Sequence, residues 1–166
     1  MTPYTVEVHG SRVVTEPTGI ERCYREQGEK LWRSLLLFSG DPDVASDAVA
    51  EAFAEAIRRG EAIRDPDRWV WRAAFKIAKG ELQRRRRHTP DFPELPVELP
   101  SPTVDLVRAL RRLTPKQRGA IVLHHYSGYS NRETAAILGS TAAAIGVHLE
   151  RARARLREEL REDRHA

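Results

Sequence analysis

A chain of 166 residues is long enough for one domain or two small ones, and with 28 Lys and Arg against 24 Asp and Glu its formal charge is only +4. That balance permits a nucleic-acid partner without requiring one. A lone cysteine, Cys23, excludes an intramolecular disulfide and a cysteine-based zinc site, and no apolar run reaches the length of a membrane span. A protein of the reducing cytoplasm, with no membrane insertion and no signal peptide, is therefore expected.

Residues 1–17 show no helical period. Thr5 to Val8 and Arg12 to Val14 flank His9-Gly10-Ser11, which allows a small hairpin; a disordered extension is the equal alternative, because an isolated hairpin is marginal in water. Helical patterning starts at Thr18-Gly19-Ile20-Glu21, a capping box, after which Ile20, Tyr24, Leu31, Leu35 and Phe38 form one apolar stripe ending at Ser39-Gly40. Asp41-Pro42 opens a second helix that turns Ala45, Ala48, Val49, Ala52, Phe53, Ala56 and Ile57 inward and stops at Gly60. Its other face carries Asp43, Asp47, Glu51 and Glu55 at a spacing of four, a pattern that usually marks no more than a solvated face.

Asp65-Pro66 caps a third helix that runs past Trp69 to the arginine cluster Arg84 to Arg87. Trp69 and Trp71 are about 200° apart on a helix, so they cannot share one core stripe. Trp69 is expected in the core and Trp71 outward, interleaved with Arg72, Lys76 and Lys79, where a ring stacks on unpaired bases while cations hold the phosphates. An ordinary place at the edge of the core is the competing reading for Trp71. The prolines between Thr89 and Pro102 forbid a helix and favour an extended tether, which sets a linker at 89–101 between a first domain at 18–88 and a second at 102–166.

Ser101-Pro102 is expected to cap a helix bearing Val104, Val107 and Leu110. Thr114-Pro115-Lys116-Gln117 is a second capping box, opening a helix that ends at Ser127-Gly128, and Ser130 to Glu133 is a third, opening a short helix ended by Gly139. Ser140-Thr141 caps a long helix in which Ile145, Leu149, Ala152 and Leu156 recur at helical spacing, leaving Ala143, Ala144, Val147, His148 and Arg151 on the opposite side. A short helix, a glycine turn and a long arginine-bearing helix read as a helix-turn-helix, with an ordinary helical hairpin as the bland alternative. His124-His125 and His148 lack the spacing of a metal or acid-base site, so no enzyme activity, metal or cofactor is expected.

Taken together, these motifs resemble those of the bacterial RNA polymerase sigma factors of the extracytoplasmic-function group, from about Ile20 to Arg157. Leu31 to Arg59, with Gly40-Asp41-Pro42, Asp47, Glu51 and Phe53, is similar to the family's first conserved domain. Asp65 to Arg87 resembles its promoter-opening helix, and Leu113 to Gly139 the domain that reads the upstream promoter element. The resemblance implies an all-α fold of two small helical domains and three groups of site residues. Asp43, Asp47, Ala50, Glu51 and Glu55 would meet core RNA polymerase. Trp69, Trp71, Arg72, Phe75, Lys76, Lys79, Arg84 and Arg85 would meet the downstream element of promoter DNA as it unpairs. Arg132, Thr141, Ala143, Ala144, Val147, His148, Arg151 and Arg155 would meet the upstream element as duplex. An anti-sigma factor would be a third partner. The chain departs from the family's pattern at Ala50, where Gln is usual, at Lys76 and Gly80, and at Ala144 and Gly146, which replace Thr and a basic residue. A free-standing helix-turn-helix regulator is the alternative function.

Overall fold

The computed structural model describes residues 18–88, 94–95 and 98–165, together with the backbone of two strands nearer the start of the chain. Strands β1 (Thr5–Val8) and β2 (Ser11–Val14) pair antiparallel with Val6 opposite Val13 and Glu7 opposite Arg12, which is the hairpin the sequence allowed. All remaining regular elements among the described residues are helical, as expected.

Helices α1 (Gly19–Ser39), α2 (Pro42–Arg59) and α3 (Pro66–His88) pack on one another as the first half. Their boundaries follow from local chemistry. Thr18 accepts from the Glu21 amide while Glu21 accepts from the Thr18 amide, and Gly40 ends α1 at φ 70°, a left-handed conformation that a side chain would strain. Asp41 caps α2 by accepting from the Asp43 amide at 2.8 Å, and Asp65 accepts from the Arg68 amide at the start of α3. Leu31, Leu35, Phe38, Ala45, Ala48, Ala52, Ala74 and Phe75 fill the core between them. Two residues assigned to apolar stripes are not inside: Tyr24 is 59% exposed and Ile57 69%. Each lies near the end of its helix, past the point where the neighbouring helices cover it.

The second half contains α4 (Ser101–Arg111), α5 (Pro115–Ile121), α6 (Asn131–Leu138) and α7 (Ala142–His165). Ser101 is the first helical residue rather than a cap, and no side chain caps α4. The helix begun at Thr114 does not run on regularly: after Ile121 it widens into a π-helical turn over Val122–Tyr126, where the Ser127 amide donates back to Val122 O at 2.9 Å. Ser130 and Glu133 form the expected capping box, and Gly139, at φ 66°, makes the turn into α7.

The two halves lie against each other. The Ser34 and Ser127 hydroxyls are hydrogen-bonded at 2.8 Å, and Arg111 donates to Gly40 O at 2.8 Å. Arg118, only 3% exposed, donates to Phe38 O and Leu113 O and stacks its guanidinium 5.7 Å from the Phe38 ring centre. Burial, reinforced by Arg86 and Arg111, pushes its pKa down to about 10, so it is still a cation at neutral pH. A Cβ on Gly119 would stand 3.2 Å from the Leu138 methyls and 3.4 Å from the Phe38 ring, so glycine lets α5 approach that closely.

Candidate nucleic-acid interface

The long helix α7 presents one face inward and the other to solvent. Ile145, Leu149 and Ala152 are buried and Leu156 partly so, while Ala143, Val147, Arg151 and Arg155 are exposed and Ala144 and His148 half-buried. Thr141 accepts from the Ala144 amide at 3.1 Å and so fixes the start of the helix. Gly146 faces the start of α6, where an added Cβ would come within 3.9 Å of the Asn131 amide nitrogen. Arg132, the next residue, is exposed. Val147, His148, Arg151 and Arg155 fall along one side of α7, with Thr141, Ala143 and Ala144 at its start. Burial, with Lys116 and Arg151 nearby, holds the pKa of His148 below its usual value, so its ring is neutral at neutral pH and offers one donor and one acceptor. Lys116, exposed at the start of α5, adds a cation to this surface that the sequence reading left out.

Helix α3 requires a correction. Trp71 is fully buried, stacked on Phe75 at 6.1 Å between ring centres and edge-on to Tyr129 at 5.0 Å, whereas Trp69 is the partly exposed one. The expected roles are reversed because Tyr129, from the second half, closes over the Trp71 side of the helix. Phe75 is buried as well. Neither Trp71 nor Phe75 can meet a base in this arrangement. Arg72, Lys76 and Lys79 are exposed and fall on one helical face, which Arg68 and Arg86 extend at the same spacing. Trp69 borders that cationic stripe, with the Arg59 guanidinium 5.4 Å from its ring centre. The arginine cluster is less available than expected. Arg85 pairs with Asp41 and Glu81, and Arg84 with Glu81, whose carboxyl these arginines hold below the usual carboxylate range.

On α2, Asp43, Asp47, Ala50 and Glu51 are exposed as one surface. Glu55 is tied at the far end by Arg58 and Arg59, at 2.5 and 2.8 Å, and their hydrogen bonds lower its pKa. The histidine pair has structural partners: His124 Nδ1 lies 2.7 Å from Tyr129 O, and His125 takes a hydrogen bond from Arg153 at 3.3 Å. Among the described residues no cluster of side chains is arranged to hold a metal ion, and no helix is long and apolar enough to cross a membrane.

Comparison with known proteins assigns this arrangement. Residues 103–156 match the family model for sigma-70 region 4. The chain is 35% identical over 151 residues to the RNA polymerase sigma-E factor of Streptomyces coelicolor, covering 84% of this chain and 85% of that protein. The chain belongs to the extracytoplasmic-function RNA polymerase sigma factors. A further relative, the sigma factor SigM of Mycobacterium tuberculosis, is 28% identical over 163 residues, covering 90% of this chain and 81% of that protein. The fold also matches the sigma factor RpoE of Bartonella quintana, solved in complex with the anti-sigma factor NepR, at a TM-score of 0.72 and 24% identity over 84% of this chain and 95% of that one. In a sigma factor of this group, the α6–α7 surface lies within the segment matched to region 4, and the α3 stripe and α2 acidic face lie in the half that precedes it.

Proposed function

We propose that this sigma factor acts as a promoter-specificity subunit without enzymatic activity, working in the cytoplasm as two domains, residues 18–88 and 102–166, joined by a linker at 89–101. Core RNA polymerase docks on the α2 face of Asp43, Asp47, Ala50 and Glu51. The α7 face reads the upstream element as duplex, with Arg132, Lys116 and Arg155 on phosphates and Val147, His148 and Arg151 toward bases. The α3 stripe holds the downstream element as it unpairs. Trp69 takes the stacking role, worth about 1–3 kcal/mol per base, with Arg72, Lys76 and Lys79 on the backbone. Trp71 and Phe75 support that helix from inside. The sigma-factor fold shared with a structure solved with an anti-sigma factor supports a protein of that class as a third partner.

The observation that carries this reading is the exposed α7 face, capped by Thr141 and set by the Gly139 turn, inside the segment matched to region 4. Ala143 and Ala144 offer that face no side-chain donors, so sequence readout is sparse and a second contact is needed for useful specificity. Run-off transcription with core polymerase on a promoter library tests it. The expected result is initiation at a defined set of two-element promoters. No initiation with core, together with tight binding of the free protein to a palindrome, would replace this reading with a free-standing regulator.

A further inference from the structure

An apolar groove of about 1310 Å3 runs between the start of α1, the second half of α2 and the turn before α3. Ile20, Tyr24, Phe53, Ile57 and Ile63 line it, and the strong exposure of Tyr24 and Ile57 is the cost of leaving it open. Thr18 and Gly19 form part of its wall, so the chain reaches the groove from the residues just before them. Three residues, Thr15 to Pro17, join β2 to that point, so Val14 and Thr18 are four steps of the chain apart, at most about 14 Å. The hairpin is therefore confined to the neighbourhood of the groove.

The register of the hairpin supplies what the groove lacks. Val6 is opposite Val13 and Val8 opposite Ser11, while Thr5 is opposite Val14 and Glu7 opposite Arg12. Positions on a strand alternate between faces, so 6, 8 and 13 share one face of the ribbon and the Glu7–Arg12 pair belongs to the other. Two four-residue strands are too short to be stable alone and need an apolar surface against their valine-bearing face. We propose that the β1–β2 hairpin docks with its face of Val6, Val8 and Val13 in this groove, over Tyr24 and Ile57. Because Ala50 and Ala54 also line the groove, the docked hairpin borders the acidic face of α2 and competes with core polymerase for it; this consequence rests on the function proposed above.

Paired cysteines in the full chain test the docking. Cys23 is fully buried and does not compete for oxidant. Val6→Cys with Ile57→Cys is expected to form an intramolecular disulfide under mild oxidation at least ten times faster than Glu7→Cys with Ile57→Cys, which starts from the other face. Equal rates for the two pairs, disulfides formed only between chains, or none at all would overturn the docking. Binding of core polymerase to the oxidised Val6–Ile57 pair and to the same protein after reduction then tests the competition. At least ten-fold weaker binding when oxidised is expected, and equal binding would overturn the competition while the docking stands. A reduced protein that does not bind core at all would instead remove the proposed function.

Discussion

Deleting the indole of Trp71 removes the ring on which Phe75 and Tyr129 both pack, in a site with no exposure to water. Trp71→Ala is expected to destabilise the protein by about 3–5 kcal/mol, as large buried aromatics do. Trp69→Ala loses a partly exposed ring and a cation–π contact worth about 0.5–1 kcal/mol, so it should fold nearly normally and fail instead at promoter opening. Denaturant melts and permanganate footprinting of the open complex separate the two, and normal opening by Trp69→Ala would remove the stacking role. The sequence could place these residues on opposite sides of a helix but could not say which side was inside. That depends on Tyr129, which is distant in sequence and lies in a segment read as belonging to another domain. Tyr24 and Ile57 fail for the same reason in reverse: periodicity puts them in a stripe, and only the packing shows that the stripe outruns its cover. By contrast, the capping boxes at Thr18, Thr114 and Ser130 were legible because donor and acceptor lie three residues apart.

At the level of elements, α7 and α2 make separable predictions. Arg155 is exposed on the side of α7 proposed to meet DNA, where its proposed contact is a phosphate, so Arg155→Ala should weaken binding alike on all sequences and lower the slope of log affinity against log salt by about 0.9. Arg151→Ala should instead cost about 1–3 kcal/mol and relax preference at one base position, which gel shifts across salt and sequence would distinguish. On α2, reversing Asp47 and Glu51 to Lys should abolish core binding while leaving DNA binding intact; undiminished core binding would return that face to ordinary solvent. The histidines of the second half add a pH dependence. His125, through burial beside His124 and Arg153, and His148 have folded-state pKa values below their ordinary 6.5. A depressed histidine favours the neutral ring, so its contribution to stability is present above 6.5 and is lost as pH falls through the lower folded value. Thermal melts from pH 7.5 to 5 should show the second half weakening over that window, and His125→Gln with His148→Gln should flatten the change. The surface these residues form was legible, since its caps and spacing are local, whereas Lys116 was not, because it joins the surface only through the packing of α5 on α7.

For the whole molecule, the contact between halves is the feature the sequence hid most completely, since a proline-rich stretch between two helical patterns says nothing about whether they touch. Its polar part is the Ser34–Ser127 pair, Arg111 on Gly40 O and Arg118 on Phe38 O, set against one apolar cluster in which Val107, Leu110, Leu113, Val122 and Leu123 of the second half join Leu31, Leu35 and Phe38 of the first. The polar groups can exchange their partners for water, whereas the apolar cluster beside them resists separation of the halves. Arg118 is the residue to remove, because truncating it deprives two buried carbonyl groups of a charged donor, a loss of about 1.5–3 kcal/mol. Arg118 meets the first half at Phe38, through its carbonyl and over its ring. In a chain whose remaining tryptophan is Trp71, made with Trp32→Phe and Trp69→Phe, Arg118→Ala should let Tyr129 withdraw and water reach the indole. Trp71 emission would then shift to the red while the far-ultraviolet circular dichroism stays helical. Arg108→Ala, which loses a surface pair with Asp105 at 3.9 Å, is the matched control and should shift nothing. Unchanged Trp71 emission in Arg118→Ala would mean that the apolar contact between the halves, the Trp71–Tyr129 pair included, holds without Arg118.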